Sequence, residues 1–75
     1  MATLSDLTER EIEILQFVLA GRTNKAIAAV MCISEKTVEF HLGKIYSKIG
    51  MRTRMLAGMW ALQQGIRRKT RGIPS

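Results

Sequence analysis

One segment constrains this chain more than any other: NKAIAAVMCISEKTVEFHLGKIYSKIG, from Asn24 to Gly50. Asn24–Met31 reads as a short helix with Ala26, Ile27, Val30 and Met31 available to a core. Cys32 and Ile33 make a turn, and Ser34 is placed to cap a longer helix, with Glu35 set favourably against its dipole. On that helix Val38, Leu42, Ile45 and Ile49 form one apolar stripe. Lys36, Glu39, Phe40, Gly43, Lys44, Ser47 and Lys48 fall mostly on the other side. A short helix, a tight turn and a longer basic helix in this order form a helix-turn-helix pattern, whose second helix is suited to the DNA major groove.

The flanking sequence adds two more helices. Thr8-Glu9-Arg10-Glu11 is a capping box: the Thr8 hydroxyl can accept from the backbone N–H of Glu11, whose carboxylate can reach back to the N–H of Thr8. Leu7 and Ile12 stand at the staple positions, and Ile12, Leu15, Val18 and Leu19 recur at three- and four-residue spacing. Gly21 is expected to end this helix in a left-handed conformation. Thr53 caps a helix predicted over 54–64, closed by Gly65. The remainder, RRKTRGIPS, has no apolar period. The expected organisation is therefore an all-α, four-helix helix-turn-helix domain over 1–66 with a basic flexible tail over 67–75.

With 75 residues the chain has room for one domain and a modest core. Cys32 is the only cysteine, and its neighbours Ala28, Ala29, Val30, Met31 and Ile33 predict a small buried hydrophobe rather than a redox or metal ligand. Neither Cys32 and His41 together nor any other set has metal-site spacing, so no metal and no cofactor is expected. No segment approaches the ~18 apolar residues of a membrane span, and no signal peptide is recognisable. A cytoplasmic protein with no membrane partner is the expectation, supported by the unpaired thiol. An enzyme is disfavoured: there is no nucleophile–base pair, phosphate loop or plausible carboxylate pair.

The formal net charge is +6, and it is unevenly spread. Up to Ala20 the acids Asp6, Glu9, Glu11 and Glu13 face one base, Arg10; from Gly21 onward Glu35 and Glu39 are the only acids among many Lys and Arg. This asymmetry suits a face prepared for a polyanion. On charge alone, ordinary solvation of helix surfaces accounts for it equally well.

With those residues laid out, the chain resembles the LuxR/GerE-type helix-turn-helix family of bacterial transcription regulators. The family's run is matched in order by LTEREIEIL, GRTNKAIA, ISEKTVEFH and IYSKIGMRTR. The resemblance covers Leu7 to about Ile66. It implies a scaffold helix over 24–31, a recognition helix over 34–49, and homodimerisation through the fourth helix on two-fold-related half-sites of double-stranded DNA. It also implies base reading by Glu39, Phe40 and Gly43. The family commonly carries a basic residue at Glu39 and a polar or basic one at Gly43. Glu39 can only accept, for instance from a cytosine N4 amino group, and Phe40 could lie on a thymine methyl. Gly43 brings no side chain and permits close backbone approach.

Lys25, Thr37, Lys44 and Lys48 are the residue types that contact phosphates and fix register. His41 suits neutral packing or a phosphate contact. Met55, Leu56, Met59 and Trp60, with Met51 and Leu62, give the last helix more apolar surface than one core stripe needs. They predict a dimer surface, with capping of a small core as the alternative, Trp60 then filling a gap beside Gly58. The resulting function is sequence-specific DNA binding in transcription regulation, bacterial and nucleoid-associated when bound, with no small-molecule ligand in this domain. The competing function is a helical interaction module that docks on another regulator or on RNA polymerase without reading DNA. The 75 residues fit either a small stand-alone regulator or the C-terminal domain of a longer protein.

Overall fold

The computed structural model describes residues 2–68, which fold into a 3-10 turn followed by four α-helices. The turn Leu4–Asp6 is closed by the Asp6 carboxylate, which accepts from the Thr3 N–H at 2.7 Å. The helices are α1 (Glu9–Leu19), α2 (Asn24–Met31), α3 (Glu35–Ile49) and α4 (Arg54–Gln63).

Each helix begins where a hydroxyl satisfies a backbone N–H that has no intrahelical partner. Thr8, Thr23, Ser34 and Thr53 accept from Glu11, Ala26, Thr37 and Leu56, each at 3.1 Å. The Thr8–Glu11 box closes in both directions, with the Thr8 N–H donating to Glu11 Oε1 at 2.9 Å. Thr23 is a cap absent from the sequence-based expectation. Gly50 ends α3 at φ 73°, a left-handed position that favours glycine.

Packing is hierarchical. α2 lies on α3, α1 lies on both α3 and α4, and the core sits between them. The α3 stripe Val38, Leu42, Ile45 and Ile49 is buried as its period predicts. On α1 the stripe is shifted: Ile14, Leu15, Phe17 and Val18 are buried, while Ile12 and Leu19 are only half-buried. The reason is that α1 is covered from two sides and so buries a wider arc than one stripe.

Two expectations are corrected here. Cys32 is exposed, because it terminates α2 in the left-handed region at φ 58° and its side chain is turned away from the core. Trp60 is buried at 7% exposure among the core residues, so it is not part of an exposed α4 face. Ile66 closes the core and Arg67 and Arg68 are exposed. The remainder of the expected tail, 69–75, lies outside the described residues. No helix among the described residues is long and apolar enough to cross a membrane.

Candidate nucleic-acid interface

Burying Val38, Leu42 and Ile45 turns the opposite face of α3 outward, and Glu39, Phe40, Gly43, Lys44 and Ser47 are all exposed there. A helix anchored by one stripe presents the other with little freedom, which is what a surface that reads another molecule requires. Phe40 is 63% exposed, an unusual place for a large apolar ring. Lys44, one turn on, sets its ammonium 5.2 Å from the Phe40 ring centroid, within cation–π reach. On the other side, His41 meets the same ring edge-on, with centroids 6.0 Å apart. Phe40 is thus steadied by two neighbours although no core holds it.

Glu39, Phe40, Gly43, Lys44, Ser47 and Lys48 line one open groove along this face. Gly43 leaves this face bare at one point: a Cβ built there would meet nothing within 4 Å. The three residues expected to read bases are therefore brought together on one exposed surface.

The four residues expected on phosphates divide. Lys25 is exposed in the first turn of α2, and Lys44 is exposed beside Phe40. Thr37 is half-buried, and its hydroxyl shares a 2.9 Å hydrogen bond with Ser34 at the start of α3. Lys48 differs most from expectation. Its Nζ forms an ion pair with Glu11 Oε1 at 2.8 Å.

Glu11 is the buried acid of the structure, 3% exposed, and its oxygen serves two donors: the Lys48 ammonium and the Thr8 N–H. Burial pushes its carboxyl pKa up, but the Lys48 hydrogen bond and charge and the Thr8 contacts outweigh this and hold it below the usual glutamate value. The pair ties the start of α1 to the last turn of α3. Lys48 is consequently a structural cation first, with only part of its side chain open to solvent.

Arg54 is a second tie that the sequence did not reveal. Its guanidinium donates to Asn24 Oδ1 at 2.7 Å and to the Arg22 carbonyl oxygen, clasping the start of α2 from the start of α4. A planar fork with several donors suits such a two-acceptor site. Nothing in the local pattern around Arg54 signals it, since both acceptors belong to the segment before and at the start of α2. Among the described residues no group of three or more His, Cys, Asp or Glu comes together as a metal site.

These features coincide with one described family. Residues 5–61 match the model of the bacterial regulatory proteins of the luxR family. The chain belongs to the luxR family. Its helix-turn-helix is α2 and α3, and the family is one of regulators rather than enzymes. The luxR-family chain is 43% identical over 60 residues to the nitrate/nitrite response regulator protein NarP of Escherichia coli, covering 80% of this chain and 28% of that protein. It is 50% identical over 50 residues to the transcriptional regulatory protein TdiR of Thauera aromatica, covering 67% and 22% respectively. With the transcriptional regulatory protein LnrK of Bacillus subtilis it shares 43% identity over 63 residues, 84% of this chain and 29% of LnrK. The matches thus span less than a third of the length of these relatives.

Proposed function

We propose that this luxR-family domain binds double-stranded DNA sequence-specifically and serves transcription regulation, with α3 in the major groove. The observation that carries the proposal is the two-sidedness of α3. One stripe is locked into the core, and the opposite one exposes Glu39, Phe40, Gly43 and Lys44 together. Lys25 and Lys44 are exposed and of the type that meets phosphates, with Thr37 and the exposed part of Lys48 at the margin. The family membership and the names of the relatives support the same function.

The domain acts as a homodimer through α4 in this proposal. Met55, at 76% exposure, Leu56, Met59 and Leu62 remain uncovered although α4 is already packed on α1. A cluster of this kind is suited to a second copy. Dimerisation would set two recognition helices about one DNA turn apart, roughly 10 base pairs between half-site centres.

The same α4 surface favours a second reading, in which the domain docks on another regulator or on RNA polymerase without reading DNA. Selection from a random duplex library, followed by binding at several salt concentrations, separates the two. The proposal expects an enriched sequence and a linear fall of log affinity with log salt, by about 0.9 per phosphate neutralised. Absence of duplex binding at low salt would transfer the argument to the docking reading.

A further inference from the structure

The groove on α3 combines two chemistries that no single unmodified base combines. It is bare at Gly43, and the exposed Phe40 ring, steadied by Lys44 and His41, lines the same face. Glu39 lines the same groove and brings a carboxylate that can only accept hydrogen bonds. In the major groove the C5-methyl of thymine is the apolar feature of the unmodified bases, and it lies beside an O4 acceptor that Glu39 would repel. Cytosine has the matching N4 amino donor but no methyl group.

We propose that this groove is a receptor for a pyrimidine carrying both groups, 5-methylcytosine in duplex DNA. The methyl passes over the open backbone at Gly43 to pack on the exposed Phe40 ring, and the N4 amino group donates to Glu39. The inference rests on the proposed insertion of α3 into the major groove. Lys44 in the groove and Lys25 at the start of α2 supply positive charge, as a polyanionic occupant requires. A larger residue at position 43 would occupy this approach, since the space above its backbone is open. Gly43 is then a specificity determinant through the volume it vacates.

Four pyrimidines serve the test, each in its own Watson–Crick pair: cytosine and 5-methylcytosine opposite guanine, uracil and thymine opposite adenine, so that the C5 methyl is varied within a fixed pair and the C4 donor or acceptor is varied together with the pairing purine. Parallel random duplex libraries made with cytosine or with 5-methylcytosine are selected against the domain. The enriched duplex is then resynthesised with each of the four at every pyrimidine position. At one position per half-site the methyl should strengthen binding about fourfold, the worth of one buried methyl-sized group. At that position cytosine should exceed uracil by at least about fivefold, the discrimination of one matched edge contact. Gly43→Gln covers the bare backbone with a good helix former and should abolish the methyl preference while leaving helicity intact. Phe40→Ala should do the same, and Glu39→Gln should erase the cytosine-over-uracil preference and keep the methyl effect.

Sequence-specific binding with cytosine and 5-methylcytosine equivalent at every position would overturn the methyl receptor and leave DNA reading intact. A methyl preference that survives Gly43→Gln would also overturn it. No duplex binding in any library would instead refute the insertion of α3 on which it rests.

Discussion

Cutting the Lys48–Glu11 tie from each side should give unequal losses, and the inequality follows from where the two charges sit. Glu11 is almost fully buried, whereas Lys48 reaches it from a partly open position at 2.8 Å. Lys48→Met keeps most of the side-chain stem and strands a buried carboxylate. Breaking a buried pair in this way costs about 3–5 kcal/mol. Water can reach the vacated position through the exposed side of Lys48, and Thr8 still donates its N–H, so about 2–3 kcal/mol is expected. Glu11→Gln retains a carbonyl acceptor for Thr8 and lets Lys48 return to solvent, which lowers the loss to about 1 kcal/mol. Against a total stability on the order of 4–10 kcal/mol, both are measurable and the first is severe.

Urea unfolding followed by helical circular dichroism at pH 7 measures both, provided the slopes agree. The pH dependence gives a second reading. Glu11 has a lowered pKa in the folded protein, so its contribution is present above the ordinary glutamate value and is lost as pH falls through the folded value. Glu11→Gln should lack that component of acid destabilisation. In Lys48→Met the Thr8 contacts remain but the Lys48 charge is gone, so burial pushes the Glu11 pKa up and this variant should recover stability as pH falls. Equal losses at pH 7, or a Glu11→Gln loss exceeding that of Lys48→Met, would refute the assignment of Glu11 as the buried, dependent partner.

Trp60→Ala should destabilise the domain by about 3–5 kcal/mol, as removal of a buried large aromatic does, whereas Met59→Glu, at an exposed position of the proposed dimer surface, should keep the helicity and shift sedimentation towards monomer. Arg54→Met should loosen the start of α2, seen as faster amide hydrogen exchange over 24–27 with α1 unaffected. Lys44→Ala should weaken binding to all duplexes alike and lower the salt slope by about one unit, while Phe40→Ala should change the preferred base by about 1–3 kcal/mol at one or two positions. A base-specific loss in Lys44→Ala would reverse the division between holding and reading residues.

What could be read from the sequence is what is decided within one helical turn. Three of the four α-helix caps, the Thr8–Glu11 box, the left-handed glycines at 21, 50 and 65 and the α3 stripe all rest on partners three or four residues apart. The exposure of Glu39, Phe40 and Gly43 followed from that stripe, so the face proposed for recognition was legible in the helical period alone. Tertiary structure decided the remainder. α1 and α4 carry apolar residues around much of their circumference, and only their neighbours determine that Phe17 and Trp60 are buried while Met55 and Met59 are not. Cys32 looked apolar by its neighbours, yet the turn between α2 and α3 needed a left-handed residue at its position and turned it out. Glu11 and Lys48 stand 37 residues apart, and Arg54 stands 30 residues from Asn24. Local periodicity carries no information about such pairs, because they exist only once the helices have packed and the desolvated charge of Glu11 requires a partner.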